Sequence, residues 1–372
     1  MQRTVILILC MVGLLSCDNK TSRTEEDALV ASHILFQGED VDSLSLADRV
    51  ADISFLALEN NDSALIYEAD KIRFENGLIY FGDFYGNKVV VYDETGKFRF
   101  SINKRGQGPG EYLEIKSFTV DSQYVYVLDN YNHKVFMYDA FDGSFRQEKS
   151  LPLVAWDIEA LDNGHFLLAY VPLMNSVNMS HTNHLLFVVD SNFQIVKRLL
   201  PYAEEEKTAL AYHTFFSLCD DDIIFASMLF DGYAVIPRSN VDSLYKVQID
   251  FHNPVVPEHR KDTEEINKHS YEYLVEVPVV CGDYAVLQVP FEDYVNMYVY
   301  DRRDKKLMCN RFSDCRNALY FPVASYKGRF VSYLSDFLVY EDLVKAGFKQ
   351  APSAVEEQFK HEGSMLIFYT MR

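Results

Sequence analysis

Short apolar runs alternate with turn-forming residues along most of the chain, and the first complete example lies between Lys71 and Ile102. Each run mixes β-branched, aromatic and polar residues with a period of two, which is typical of β-strands. Glu75-Asn76-Gly77 and Asp93 to Gly96 separate the runs with residues that favour turns. The pattern predicts four strands, at residues 71–74, 78–81, 88–92 and 97–102.

This unit is repeated. Residues 80–93 align without gaps with residues 126–139, 46 positions later, and seven of the fourteen aligned residues are identical. Identity at a fixed spacing is typical of repeat architectures. A third-strand signal then returns four times, each time after a turn-plus-strand signal, so the sequence predicts six units. The returning signals are at residues 185–190, 244–247, 297–301 and 365–369.

The spacing and the composition together predict the fold. The chain has 25 Tyr and 27 Phe, and the first five third-strand signals follow one another at intervals of 46 to 56 residues, the length of a four-stranded propeller blade. The last unit stops at its third strand, whereas residues 53–58 form a strand without a unit of its own. We therefore expect an all-β, six-bladed β-propeller over residues 49–372 that is closed by the N-terminal strand pairing in the last blade. Two helix-prone segments, 258–275 and 341–361, are expected as short insertions between strands.

The N-terminus predicts export. Arg3 precedes an apolar run from Val5 to Leu15, and a helix of that length would rise about 16 Å, against roughly 30 Å for a bilayer core. The run ends in Leu14-Leu15-Ser16-Cys17, which resembles the lipobox of bacterial lipoproteins. That resemblance implies a lipoprotein signal peptide at 1–16, a lipidated Cys17 that anchors the chain to a membrane, and a flexible tether at 17–48. The alternative is an ordinary secretory signal with an incidental cysteine.

The charge and the cysteine content limit which partners and which cysteine motifs are expected. The formal net charge is −20, and a chain this acidic is repelled by phosphate backbones, so no nucleic-acid partner is expected. The sequence has no C-x-x-C pair, which excludes a zinc ribbon or a thioredoxin-like motif. Cys309 and Cys315 are close enough in sequence for a disulfide, and free buried thiols are the alternative.

A second motif carries a family resemblance. Gly106-Gln107-Gly108-Pro109-Gly110-Glu111-Tyr112 resembles the G-x-G-P-G-E-[YF] signature of six-bladed β-propeller lipoproteins related to NHL- and TolB-like propellers. The strands at 55–59 and 365–369 resemble the two ends of that family. The resemblance implies an outer-membrane lipoprotein in the cell envelope of a Gram-negative bacterium, periplasmic or surface-exposed, and implies no particular activity.

The crossovers between units supply the candidate binding residues. A loop from the outer strand of one blade to the inner strand of the next crosses the propeller face, and glycine and proline suit such a tight path. A rigid crossover is the simplest interpretation; the functional one is that polar groups face the channel mouth. Trp156 could stack on a sugar or peptide group, or could fill the core between blades. The candidate ligand-binding residues are Lys104, Arg105, Gln107, Glu111, Tyr112, Trp156 and Asp157.

Catalytic and metal signatures are absent from the sequence. It contains no G-x-S-x-G and no H-E-x-x-H motif. Asp220-Asp221-Asp222 lacks the alternating spacing of a calcium loop, and His181 and His184 have no third ligand nearby. No metal and no cofactor are therefore expected.

Three functions remain open at this point. The favoured one is a lipid-anchored binding or interaction module for a protein, peptide or glycan ligand at the channel mouth. The alternatives are a glycan-active or other hydrolytic enzyme with carboxylates at the channel, and a structural subunit of an envelope complex. An enzyme predicts converging acidic or His side chains with displaced pKa values. The repeated Tyr85 and Tyr131 are interpreted as packing residues.

Overall fold

The protein is a closed ring of six antiparallel β-sheets, the blades of a β-propeller. The computed structural model describes residues 29–36, 45–174, 183–203, 205–291, 294–310, 318–361 and 363–372. In each blade the first strand is innermost and contacts the first strands of neighbouring blades around the axis. Within the described ranges, no helix has the length and apolar character needed to cross a membrane.

The chain enters the ring through three short elements: strand β1 (Val30–Leu35), helix α1 (Ser45–Arg49) and strand β2 (Val50–Leu58). Blade 1 contains β3 (Lys71–Glu75), β4 (Leu78–Asp83), β5 (Lys88–Asp93) and β6 (Phe98–Ile102). Blade 2 contains β7 (Ser117–Val120), β8 (Tyr124–Asp129), β9 (Lys134–Asp139) and β10 (Phe145–Ser150). Blade 3 contains β11 (Asp157–Ala160), β12 (Phe166–Ala169), β13 (His184–Val189) and β14 (Ile195–Pro201).

The second half of the ring also carries the longer helices. Blade 4 contains β15 (Phe216–Cys219), β16 (Asp222–Phe225), β17 (Gly232–Pro237) and β18 (Tyr245–Asp250), and helix α2 (Thr263–Lys268) follows it. Blade 5 contains β19 (Val279–Cys281), β20 (Tyr284–Phe291), β21 (Tyr294–Asp301) and β22 (Lys306–Asn310). Blade 6 contains β23 (Pro322–Tyr326), β24 (Arg329–Leu334), helices α3 (Phe337–Lys345) and α4 (Ser353–Lys360), and β25 (Ser364–Met371). The helices lie between strands, as the sequence predicted.

Ring closure is confirmed. Strand β2 pairs antiparallel with β25 and is the outermost strand of blade 6, with Ile53 opposite Tyr369 and Leu58 opposite Ser364. Main-chain hydrogen bonds to β2 replace an edge that β25 would otherwise expose. A strand from the N-terminal part of the chain and the last strand therefore complete one sheet.

The residues shared by the first two units attach each incoming linker to its blade. At the end of the second strand, Asp83 accepts a hydrogen bond from the Tyr67 amide at 3.0 Å, and Asp129 accepts one from the Leu113 amide at 2.7 Å. On the third strand, the Tyr92 hydroxyl donates to the Ala64 carbonyl and the Tyr138 hydroxyl to the Gly110 carbonyl, both at 2.9 Å. Buried polar groups need such partners, which explains why Asp and Tyr recur at these positions.

Two details of the prediction are wrong. Residues 244–247 were predicted as the third strand of the fourth unit, but they lead into β18, the fourth strand, and β17 is the third. β17 carries the apolar run Tyr-Ala-Val-Ile without the Tyr-Asp ending that marks β5 and β9, so the pattern of the first two units does not identify it as a third strand.

The predicted flexible tether over 17–48 also needs correction within the described residues. Strand β1 pairs in parallel with β18, which gives blade 4 a fifth strand instead of four. Ile34 and Phe36 are 1% and 2% exposed, and the Phe36 ring makes an edge contact with Tyr298 in blade 5. Burial of these two side chains offsets the entropic cost of ordering the segment.

Candidate functional site

The central channel is lined by polar side chains from the inner strands. Successive residues of a strand point to opposite sides, so residues two apart face the same way. Lys71 and Arg73 lie two residues apart on β3, and Asp157 and Glu159 lie two residues apart on β11. Thr119 lies on β7, the inner strand of blade 2. All five are 5% exposed or less.

These groups form one buried network that joins blades 1 to 4. Lys71 Nζ donates to Asp157 Oδ1 at 2.7 Å, and Arg73 Nε donates to Glu159 Oε2 at 2.9 Å. Asp157 Oδ2 accepts hydrogen bonds from the backbone amides of Phe215 and Phe216 at 2.7 and 3.0 Å. Two cations therefore face two carboxylates, and the charges balance inside the ring.

The network keeps Glu159 ionised. Burial by itself would raise the pKa of this carboxyl, but Arg73 and Lys71 more than offset it and lower the pKa to about 2. A buried carboxylate is tolerated only when it is paired and hydrogen-bonded in this way. We call Lys71, Arg73, Asp157 and Glu159 the channel network.

Asp157 belongs to this network. It was a candidate ligand-binding residue, but it is 0% exposed, and both carboxylate oxygens accept hydrogen bonds from within the protein. Tyr112 is similarly enclosed: its hydroxyl lies 2.8 Å from the Asn87 carbonyl and accepts from the Lys104 amide at 3.0 Å. In this structure both residues support the site without facing solvent.

The crossover loop at residues 104–112 lies against blade 2. Gly108 donates its amide to Glu111 Oε2 at 2.8 Å, and a Cβ at Gly106 would lie 2.0 Å from that same oxygen. Gly110 has φ of +74° and contacts the Phe145 ring of β10, the outermost strand of the blade. The nearby Glu111 carboxylate explains the glycine at position 106, and the positive φ explains the glycine at position 110.

The placement of this loop differs from the predicted channel mouth. It borders an open cleft of about 840 Å³ whose other wall is formed by β9 and β10, at the outer side of blade 2. Gln107 and Glu111 line this cleft; Lys104, Arg105 and Gln107 are exposed, and Glu111 is half-buried. A ligand-binding role for these four residues stays a prediction, and their loop lies at the outer side of blade 2 instead of at the channel mouth.

The true channel mouth is formed by the residues that immediately precede the inner strands. All six inner strands run in the same direction, so their starts lie on one face, together with the linkers between blades; we call this the linker face. Asp70, Lys116 and Trp156 precede β3, β7 and β11. The Trp156 ring is half-buried, and Lys116 Nζ lies 4.9 Å from its centre, a cation–π distance. Trp156 thus stays a candidate at the mouth.

A carboxylate and an imidazole, from Asp70 and His213, lie together at the channel mouth. His213 Nε2 is 2.6 Å from Asp70 Oδ1; the Asp70 side chain is 1% exposed and that of His213 is 51% exposed. Asp70 Oδ2 accepts from the Phe84 amide at 2.6 Å, and the His213 ring stacks on Phe84. The hydrogen bond with Asp70 raises the pKa of His213.

Glu276 is the third titratable group at the mouth. It shares with Asp70 and His213 a cavity of about 230 Å³ that reaches down to Lys71 and Arg73. Burial raises the pKa of Glu276 to about 7, while His213 opposes the shift. We call Asp70, His213 and Glu276 the mouth triad. Nothing local in the sequence marks these residues, because they are far apart along the chain and no motif contains them.

Exposed aromatic rings adjoin the triad. Tyr67 and Tyr85 are 60% and 79% exposed, and their ring centres lie 5.8 Å apart in an edge contact. Tyr85 follows Phe84, whose amide is bound to Asp70. The repeated Tyr85 and Tyr131 were interpreted as packing residues, but Tyr131 is 70% exposed as well. The repeat therefore places solvent-facing rings on the linker face.

The mouth triad has one feature of an enzyme site, but the described residues do not include a bonded Ser–His or Cys–His pair there. The triad combines titratable groups with displaced pKa values, as an enzyme would. Among the hydrogen bonds of the described residues, however, no hydroxyl or thiol is bonded to His213, which nucleophilic catalysis through a Ser–His or Cys–His pair requires. Of the described residues, the one set of three side chains close enough to share a metal is His259, Glu265 and His269, outside the mouth.

Three predicted features lie outside the described residues: Cys17, His181, and Cys315 with its proposed disulfide to Cys309. Cys309 is buried.

Solved structures share this ring. One is described as a "Putative exported protein" from Bacteroides fragilis NCTC 9343; it is 18% identical, with a TM-score of 0.73, over 91% of this chain and 99% of that chain. Another is a member of the DUF4221 family from Bacteroides vulgatus ATCC 8482; it is 13% identical, with a TM-score of 0.53, over 87% of this chain and 97% of that chain. Identities this low show the fold alone.

The comparison with curated proteins gave no match. A family model does match, over residues 36–364, from the end of β1 to the start of β25, and so includes every blade. The chain therefore belongs to the family described as Domain of unknown function (DUF4934).

Proposed function

We propose that the protein is an exported binding module that holds a glycan or peptide ligand on its linker face, at the channel mouth. The observation that carries this proposal is that the mouth triad lines a cavity above the channel network, while exposed tyrosines lie in loops on the same face. A ligand cannot enter deeply, so the contacts available to it are those of the face. Convergent polar groups beside aromatic rings are typical of small binding sites.

The ligand chemistry follows from the groups that are free to contact it. Tyr67 and Tyr85 offer flat apolar surfaces, and the exposed His213 ring, held in place by the buried Asp70, offers an oriented ring nitrogen. Exposed Glu68 and half-buried Glu276 add negative charge beside them. This combination favours a ligand with hydroxyl or amino groups on a compact apolar body, as in saccharides or basic peptides.

A thermal-shift screen of the purified protein against glycans and peptides tests the proposal. One class is expected to raise the unfolding temperature, because a ligand that binds only the native state stabilises it. Tyr67→Ala and Tyr85→Ala should each weaken binding of that ligand about 3- to 10-fold, the effect of losing one aromatic contact. Both rings are exposed, so the unliganded variants should unfold near the wild-type temperature.

Phe141→Ala is the matched control. This ring is 56% exposed, like that of Tyr67, but lies in the turn between β9 and β10, on the opposite face. It should leave the affinity unchanged. Equal effects of all three variants would contradict binding on the linker face, and recovery of the ligand in cleaved form would favour the enzyme alternative.

Export and anchoring form the second part of the proposal. The apolar run from Val5 to Leu15 and the lipobox-like residues ending at Cys17 support it, as does the exported description of the similar Bacteroides fragilis protein. We place the mature protein in the cell envelope, held to the outer membrane by acyl chains on Cys17.

Metabolic labelling with a clickable fatty acid checks the anchor. The wild-type chain expressed in a Gram-negative host should carry the label and sediment with membranes, whereas Cys17→Ser should lose the label. Cys10→Ser, which alters the other cysteine of the leader, should label normally. Labelling that survives Cys17→Ser would overturn the assignment.

A further inference from the structure

The segment between blades 4 and 5 brings two imidazoles and a carboxylate together. His259 belongs to a short 3₁₀ helix, Glu265 to helix α2, and His269 follows the last residue of that helix. One potential ligand atom from each of the three side chains lies within 4.8 Å of the others. The mouth triad uses none of these residues.

The distances approach those of a tetrahedral metal centre. Two ligand atoms bound to one zinc at about 2.0–2.2 Å are roughly 3.5 Å apart, and the ring centres of two bound imidazoles are roughly 5 Å apart. Glu265 Oε2 lies 3.7 Å from His269 Nε2, and the His259 and His269 ring centres are 5.2 Å apart. The side chain of His269 is exposed, and those of His259 and Glu265 are half-buried.

His259 already has the supporting contact that metal-binding histidines usually have. Its Nδ1 lies 2.7 Å from the Tyr271 hydroxyl, which leaves Nε2 as the nitrogen available for a metal. A hydrogen bond to the other ring nitrogen fixes the tautomer and the orientation of the ring. Tyr271 is buried at 8% exposure, so this orientation is held by the fold.

Glu265 has one oxygen to spare. Oε1 accepts from Lys268 at 2.6 Å, whereas Oε2 is directed to the histidines. Glu265 and His269 are four residues apart, which places their side chains on the same side of a helix.

We propose that His259, Glu265 and His269 bind one divalent transition-metal ion of the zinc type, with an open fourth position. Imidazole nitrogen with one carboxylate oxygen suits zinc better than calcium or magnesium, which prefer oxygen alone. The site is anchored to the ring: Arg260 donates to Asp231 at 3.2 Å, and its carbonyl accepts from the Ala209 amide at 2.7 Å. A bound ion would cross-link the segment from His259 to His269, which precedes Glu276 in the chain.

Calorimetric titration of the purified protein, produced without a histidine tag, tests the site with zinc chloride. We expect one site in the wild type, and binding at least about 100-fold weaker in His269→Ala, because loss of a ligand exceeds the roughly 10- to 100-fold cost of losing an outer partner. Tyr271→Phe should weaken zinc binding by a factor within that 10- to 100-fold range. Zinc should also raise the unfolding temperature of the wild type and not that of His269→Ala.

His361→Ala is the control, because it removes an exposed histidine that follows helix α4 in blade 6; this variant should bind zinc normally. Substitution with Co²⁺ should give a visible spectrum of nitrogen and oxygen ligands without thiolate. Absence of zinc binding in the wild type, unchanged binding in His269→Ala, or a thiolate spectrum would each overturn the proposal. His269 is exposed, so its replacement should leave the unfolding temperature without metal unchanged.

Discussion

Replacing Glu159 with alanine is expected to lower the free energy of unfolding by about 3–5 kcal/mol, because it leaves Arg73 charged and unpaired in the channel. Arg73 and Glu159 are 5% and 2% exposed, and the guanidinium reaches no carboxylate besides Glu159 among the described ion pairs. Urea unfolding at pH 7 measures the difference. Removing both partners in Arg73→Met/Glu159→Leu should recover much of the loss, since a well-packed apolar pair can replace a buried ion pair.

Glu148→Ala is the matched control. Glu148 pairs with Lys134 at 2.6 Å, but their side chains are 37% and 35% exposed, and exposed pairs contribute about 0–1 kcal/mol. Equal losses in Glu159→Ala and Glu148→Ala would contradict the role of the channel network.

The effect of Glu159 should also depend on pH. Its pKa is lowered from 4.5 to about 2 in the folded protein. The native state therefore holds this carboxylate ionised more readily than the unfolded chain does, and its stabilising contribution is complete above pH 4.5. The difference between wild type and Glu159→Ala should shrink as the pH falls from 4.5 towards 2.

Removal of β2 is expected to abolish the folded monomer, whereas removal of β1 should only weaken it. A chain that starts at residue 59 lacks Val50 to Leu58, so β25 becomes an unpaired edge and the ring cannot close. A chain that starts at residue 45 loses β1 with its buried Ile34 and Phe36, at a cost of about 3–6 kcal/mol in apolar burial, but keeps the six blades.

Thermal unfolding and size-exclusion chromatography distinguish the two truncations, with a chain starting at residue 29 as the reference. The chain from 45 should stay monomeric and unfold cooperatively at a lower temperature. The chain from 59 should show no cooperative transition or should aggregate. A folded monomer starting at 59 would show that closure by β2 is dispensable.

The sequence predicted the ring because its signals are local. The Tyr and Asp positions shared by residues 80–93 and 126–139 define a blade. At two of these positions, Asp83/Asp129 and Tyr92/Tyr138, the side chain bonds an incoming linker a short distance away. Turn residues and strand alternation are equally local. Six blades and the closing strand could therefore be read from the chain alone.

What the sequence did not reveal depends on contacts between distant segments. β1 carries the weakly apolar run Val-Ala-Ser-His-Ile-Leu, and only its partner β18 makes it a strand. Lys71 and Arg73 resemble solvent-facing charges in an alternating strand until Asp157 and Glu159 are placed opposite them. The mouth triad unites residues from three linkers. Each of these features exists only after the ring has closed.

The attachment of each linker to its own blade separates the scaffold from the surface that meets a ligand. Because Asp83 and Tyr92 bond the backbone of Tyr67 and Ala64 and not their side chains, the exposed side chains of that linker, such as Tyr67 and Glu68, can vary without loosening the ring. Proteins with the same propeller scaffold can thus acquire different ligand specificities by exchanging a few loop residues. Substitutions in these loops could likewise change the ligand bound at the channel mouth without altering the blades.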